Sequence, residues 1–590
     1  MSDADPNLGR VYAKLREIRS KKDLTLKPNR YLKDTFTGFD GEEHPLKVRY
    51  YQIQAVLHLY MMKRFLLGDD TGVGKTLSSI AALCTLWEKD PNFKAVILTN
   101  KSAVAQWAKE FRKFTRGITV ITVKGTPEKR EAAYRAYEEA TGPTAIIMGY
   151  RSSVQDFTRL QKWKGHTLIA DEATAFKNHK TQVHQVIRHL GAPDIAERVW
   201  CLTATLIKNN LMEGYGIYRV LVPGLFAMSQ NQFMIHYAII RMQQIRGRRQ
   251  IPVVVGHTPE QLEEFRKVVE PYYLGRPKHE IADELPVLTT KRIFVGLTEE
   301  QEDKYDEALD GLLTVGTRAG AETEDKETTI LTALIYCQQI VNHLDLIDCE
   351  GDSDKLDNLI DLLKNGELAD EKVILFTRFK KMVNYLEPLL KKEGIKAVRI
   401  TGDEDGDQRQ AAQDAFQDPN NPTRVVMITM AGSDAINLQA AKAIVFYDAP
   451  WSFGDYLQIL GRMLRIGSTH DRCYALHLVS RRKDGTPTID GRVMEVLQRK
   501  RKIVEAVLGK RLVGEEEHPV EASAGTGMKD LFSILRGDAQ GRKGHNPKPT
   551  PLPPVPRSIK PPPVSTPETS SDLKVFEEDL SDLDDMFGDD

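Results

Sequence analysis

The sequence predicts an α/β chain of two parallel-sheet lobes joined by helix-rich insertions. Three observations carry that expectation. Short apolar runs alternate with helical stretches over residues 45–222, and the same rhythm returns over residues 352–512. One run, Phe65-Leu66-Leu67, passes directly into Gly68-Asp69-Asp70-Thr71-Gly72-Val73-Gly74-Lys75-Thr76 and then into a helical stretch that begins Leu77-Ser78-Ser79-Ile80. Another, residues 166–170, ends in the adjacent carboxylates Asp171 and Glu172.

In chain order, residues 1–44 form a polar, basic extension with room for a short amphipathic helix over 7–20. The first lobe, 45–222, has expected strands at 95–99, 144–148, 167–170 and 199–203. Residues 223–351 read as helical protrusions and a linker. The second lobe, 352–512, has expected strands at 373–376, 397–401, 424–429 and 443–447. Beyond that, ten of the 21 residues 547–567 are proline, a polyproline II spacer rather than a domain, so 513–590 reads as a disordered tail.

Charge is unevenly placed. Residues 571–590 hold nine acids against Lys574, a net of −8, so a chain of net charge −1 leaves +7 for the remainder. A mildly basic body suits a polyanionic track, and the acidic end would avoid it. Arg241, Arg246, Arg248 and Arg249 form the densest basic patch, a phosphate grip or a solvated loop. No apolar stretch approaches the ~20 residues of a membrane span, and Met1-Ser2-Asp3-Ala4-Asp5 has no signal-peptide core, so no membrane association is expected. The five cysteines include no Cys-x-x-Cys, as expected of reduced thiols in a cytosolic compartment without a zinc site.

The turn after Leu67 is a phosphate cradle. Gly72 and Gly74 let backbone N–H groups face anionic oxygens, Lys75 can reach β- and γ-phosphates, and Thr76 offers a hydroxyl to Mg²⁺ at a helix N-terminus. Asp69 stands where the first glycine of G-x-x-x-x-G-K-[ST] belongs. Asp171 is the expected Mg²⁺ ligand, direct or through water, and Glu172 the expected base for the attacking water. Arg462 and Arg465 are i and i+3, so on one helix face both guanidinia can converge on a triphosphate held by the other lobe.

Taken in order, segments across residues 45–510 resemble the Snf2-type branch of superfamily 2 helicases and translocases. Arg49-Tyr50-Tyr51-Gln52 is similar to that family's Arg-x-Tyr-Gln element, and Gln106-Trp107 with Glu110-Phe111 to the close of its motif Ia. Asp171-Glu172-Ala173-Thr174 with Lys177-Asn178 resembles its DEAH box. Leu202-Thr203-Ala204-Thr205 with Asn209-Asn210 resembles motif III, and Thr377-Arg378 motif IV. Met430-Ala431-Gly432 with Asn437-Leu438-Gln439 resembles motif V, and Gln458, Arg462, Arg465 and Gly467 fit motif VI. Thr174 replaces the box's histidine, and Ser433, Asp434 and Ala435 depart from motif V.

The resemblance implies RecA-like lobes, ATP and Mg²⁺ as cofactors, and double-stranded DNA as a track read with little sequence specificity. It implies nucleotide contacts at Gln52, Tyr51, Asp70, Thr71, Gly72, Val73, Gly74, Lys75, Thr76 and Gln458. Metal contacts fall at Thr76 and Asp171, and catalytic roles at Lys75, Glu172, Arg462 and Arg465. DNA contacts are implied at Lys101, Ser102, Arg151, Thr377, Arg378 and Thr429. A compact bacterial or phage motor for replication, recombination or repair is the expectation, working as a monomer in the cytoplasm, or in the nucleus of a eukaryote. A strand-separating DNA or RNA helicase and a weakly turning-over regulatory scaffold are the alternatives. The tail is a solubilising segment, a docking helix for a protein partner, or an autoinhibitory phosphate mimic.

Overall fold

The computed structural model describes residues 6–508, apart from 39–41, 205, 208–209, 246–248, 282–285, 318–322, 433–435, 466–467 and 469. The expectations for Thr205, Asn209, Arg246, Arg248, Ser433, Asp434, Ala435, Gly467 and the tail fall outside those residues. The strands are β1 (Thr35–Thr37), β2 (Glu43–Pro45), β3 (Arg64–Leu67), β4 (Lys94–Thr99), β5 (Thr119–Thr122), β6 (Thr144–Gly149), β7 (His166–Asp171) and β8 (Ala196–Leu202). They continue with β9 (Ile239–Ile245), β10 (Arg249–Gly256), β11 (Tyr273–Leu274), β12 (Val287–Val295), β13 (Val373–Phe376), β14 (Ala397–Ile400), β15 (Val425–Ile428), β16 (Ala443–Phe446) and β17 (Arg472–Ser480).

The described residues divide into two compact units, those from 6 to 237 with 259–281 in the first, and 238–258 with 286–508 in the second. The first is built on a seven-stranded sheet in the order β11-β3-β8-β7-β4-β6-β5, and every neighbouring pair is parallel. Such strands are covered on both faces, so they are apolar almost throughout, and Val96, Ile97 and Leu98 are fully buried. The order sets the site. Because β3, β8 and β7 are consecutive, their carboxyl ends carry the glycine-rich turn, Thr203 and the carboxylate pair to one edge.

The second unit has a six-stranded, all-parallel sheet, β12-β17-β16-β13-β15-β14. Its centre is polar as well as apolar. Asp448 accepts from Thr377 Oγ1, from Asn342 Nδ2 at 2.9 Å and from the Arg378 N–H at 2.9 Å. Lys355 pairs with Asp490 at 2.7 Å and donates to Asn342 Oδ1 at 3.0 Å, both charges being buried. A buried charge survives only with such partners.

Four strands lie in the segment expected to be helical. β9 and β10 form an antiparallel hairpin with Ile239, Ile240 and Met242 exposed, while β11 and β12 each extend a sheet. The helix Pro6–Ile18 packs Val11, Leu15 and Ile18 into the first unit's core. Gln54 Nε2 holds the end of that helix through the carbonyls of Ile18, Arg19 and Lys21.

Candidate nucleotide site

After Leu67 the chain leaves β3 and turns through Gly72 and Gly74, with φ of 85° and 88°. Only glycine enters that left-handed region without penalty. At Gly74 space is a second constraint, since a Cβ there would lie 2.4 Å from Gln52 Nε2. Gly74 caps the helix Lys75–Lys89 without any side-chain hydrogen bond, leaving its first N–H groups for an anion. Gln52 braces the loop by donating to the Val73 carbonyl at 3.0 Å and accepting from the Arg49 N–H at 3.0 Å. Gln52 and Tyr51 are both buried, and Tyr51 packs edge-on against Tyr50.

Lys75 Nζ donates to the carbonyls of Asp69 at 2.6 Å and Asp70 at 3.0 Å. Burial lowers its pKa, and the carboxylates of Glu172, Asp70, Asp69 and Asp171 oppose that shift. An ammonium drawn in by so much negative charge is ready to exchange carbonyl oxygens for phosphate oxygens. Thr76 follows on the first turn of the helix. Asp70 Oδ1 accepts from the Thr71 N–H at 2.7 Å, fixing the middle of the loop.

Asp171 ends β7 with Oδ2 accepting from Thr99 Oγ1 at 3.0 Å and Trp107 Nε1 at 2.7 Å, while Oδ1 accepts from the Glu172 N–H at 3.0 Å. Burial pushes its carboxyl pKa up, and the Trp107 and Thr99 hydrogen bonds with the Lys75 charge pull it back. Glu172 has φ of 54°, one of two non-glycine residues at positive φ among the described residues. Holding a glutamate there costs roughly 1–3 kcal/mol, a strain that recurs at functional sites. Just beyond, Lys177 pairs with Glu213 at 2.6 Å.

No group of three or more His, Cys, Asp or Glu side chains among the described residues could cage a metal. Mg²⁺ does not need one. One or two carboxylates, a hydroxyl, water and substrate phosphates satisfy it, so Asp171 and Thr76 fit that ion.

Sequence reasoning missed Arg276, which follows β11. Its Nε donates to Asp69 Oδ1 at 2.9 Å and its Nη2 to Asp69 Oδ2 and to the Tyr51 carbonyl at 2.8 Å; its Nη1 donates to Gln54 Oε1. Asp69 is therefore half of a buried ion pair, not a degenerate glycine position. A buried acid in place of a glycine was itself the signal, because it requires a cation from elsewhere in the chain.

In the second unit, Gln458 is buried on the helix Phe453–Met463 and Arg462 is half-buried on the same helix. The helix ends at Met463, so Arg465 does not share a helical face with Arg462 as the spacing predicted. Leu464 leaves helical geometry with ψ of 84°, and Arg465 Nε folds back onto the Gly461 carbonyl at 2.9 Å.

The expected DNA contacts separate into two groups. Lys101, Ser102 and Arg151 follow the carboxyl ends of β4 and β6, which are neighbours, and Lys101 and Arg151 are exposed. Thr377 and Thr429 are buried, their hydroxyls donating to Asp448 and to the Thr401 carbonyl, so neither presents a side chain to a phosphate backbone. Arg378 Nη1 donates to Gln338 Oε1 at 2.6 Å, and its guanidinium stacks 3.9 Å from the Trp451 ring centroid.

The SNF2-related domain model matches residues 51–346, and the helicase conserved C-terminal domain model matches residues 354–467. The chain belongs to the SNF2-related family. A Danio rerio chromodomain-helicase-DNA-binding protein 1-like is 26% identical over 449 residues, covering 72% of this chain and 41% of that protein. The Arabidopsis thaliana ISWI chromatin-remodeling complex ATPase CHR17 is 25% identical over 420 residues, covering 68% and 37%. The chain thus spans about two fifths of the length of these curated relatives. A Sulfolobus solfataricus SWI2/SNF2 ATPase core in complex with dsDNA aligns at 23% identity and a TM-score of 0.37, covering 78% of this chain and 93% of that one.

Proposed function

We propose that this SNF2-related chain is an ATP-driven translocase on double-stranded DNA, serving replication, recombination or repair. The observation that carries the reading is one edge of one sheet. The phosphate loop, Asp171 and Glu172 stand at the carboxyl ends of β3 and β7, and the exposed Lys101 and Arg151 follow β4 and β6 in the same sheet. The Danio rerio relative, with DNA binding in its name, supports it further.

In this mechanism the helix N-terminus at Lys75 and the loop N–H groups bind the triphosphate, and the ammonium of Lys75 moves from the Asp69 and Asp70 carbonyls to phosphate oxygens. Mg²⁺, when bound, would neutralise charge on the phosphates, and Asp171 and Thr76 are the residues that would hold it. Glu172 orients a water and takes its proton. Arg462 and Arg465 supply positive charge to the phosphoryl group in the transition state. Contacts to the track are ionic, so affinity follows salt and not sequence.

The reading extends to a monomer in the cytoplasm of a bacterial or phage-infected cell, which sedimentation and cell fractionation test. For the motor itself, Arg465→Ala is expected to lower kcat by about 10³-fold with KM for ATP changed far less, because its charge acts mainly in the transition state. Steady-state ATPase kinetics check this, and an effect confined to KM contradicts it.

A further inference from the structure

The Asp69–Arg276 pair spans 207 residues and lies directly under the phosphate loop. Arg276 is 9% exposed and Asp69 2%. The contact is more than side chain on side chain. The Arg276 N–H donates to Asp69 Oδ1 at 3.1 Å, the Asp70 N–H donates to the Arg276 carbonyl at 3.1 Å, and the Gly68 N–H donates to the Leu274 carbonyl at 2.6 Å. Tyr273 closes the remaining space, since a Cβ on Gly68 would lie 2.3 Å from its ring. Residues 273–276 are thus the floor on which residues 68–70 rest.

Lys75 holds the same segment, its ammonium 2.6 Å from the Asp69 carbonyl oxygen. Two cations thus hold one buried acidic residue, Arg276 at its carboxylate and Lys75 at its backbone carbonyl. A desolvated carboxylate does not stay unpaired when a cation is within reach. The planar, bidentate fork of Arg276 satisfies both Asp69 oxygens and leaves the lysine on neutral carbonyls, from which a phosphate can displace it.

We propose that Arg276 is a positioning residue for nucleotide binding: by occupying the Asp69 carboxylate, it keeps Lys75 available to the phosphates. This rests on the reading of Lys75 as a phosphate ligand. Without the guanidinium, Asp69 captures the ammonium, and nucleotide must break an ion pair to bind.

The test is equilibrium binding of a fluorescent ATP analogue to the full chain carrying Arg276→Met, and to the same chain with Asp69→Asn added. Arg276→Met is expected to weaken binding by about 30-fold or more, which is about 2 kcal/mol. Adding Asp69→Asn removes the stray carboxylate, and affinity returns to within about threefold of the parent, although the melting temperature stays low. Binding by Arg276→Met within threefold of the parent overturns the proposal, as does a double variant no tighter than the single one. If Arg276→Met does not fold, Arg276→Lys is measured instead. A point charge without the fork should lose about tenfold, again recovered by Asp69→Asn, and the absence of recovery overturns the proposal. Lys75→Ala in the same assay separates the two claims, since unchanged affinity there removes the phosphate-ligand reading and not the Arg276 pairing.

Discussion

Lys75→Ala is expected to abolish ATP hydrolysis, lowering kcat/KM by at least about 10³-fold while leaving duplex affinity within about threefold. The size follows from what the ammonium touches. In the structure it sits half-buried in the loop on two carbonyls, amid the fields of Glu172, Asp70, Asp69 and Asp171. A phosphate arriving among those carboxylates loses its main local counter-charge when the lysine is truncated. The exposed Lys101 and Arg151 follow other strands, so the track keeps its contacts. Steady-state ATPase with a parallel fluorescence-anisotropy titration of duplex checks both halves, and near-parental turnover contradicts the assignment.

Glu172→Gln is the second large effect, and it falls on a different step. The amide keeps the shape and the hydrogen-bonding reach of the side chain but accepts no proton at neutral pH. The Asp171 carboxylate and the loop are untouched, so ATP affinity is expected to stay within about threefold while kcat falls by about 10²–10⁴-fold. The variant should stall with ATP bound. Single-turnover hydrolysis beside analogue binding measures the split. Normal hydrolysis removes Glu172 as the base, and lost binding points instead to the strained backbone at φ 54°.

Much of the first unit was legible in the sequence because its signals are local. A strand, a glycine turn and a helix are contiguous from Arg64 to Lys89, and Asp171-Glu172 directly follows a buried run. What was missed is set by distant pairings. β11 is two residues long and carries no period of its own, and Arg276 acquires meaning only beside Asp69, 207 positions away. The end of the motif VI helix at Met463 was equally hidden, since no glycine or proline lies between Met463 and Arg465 to announce it. Thr377 and Thr429 resembled track contacts by wording, yet the buried acceptors Asp448 and the Thr401 carbonyl claim their hydroxyls. Polar partners inside a core are chosen by tertiary packing, which no local pattern encodes.

Hydrolysis of ATP by the full chain, measured with duplex DNA, single-stranded DNA and RNA and followed by displacement of a triplex-forming strand from the best activator, tests the central claim most directly. The account predicts stimulation greatest with duplex, independent of its sequence and falling with salt, and ATP-dependent triplex displacement that Lys75→Ala and Glu172→Gln both lose. Equal turnover with and without duplex, or stimulation by single strands or RNA alone, would contradict it.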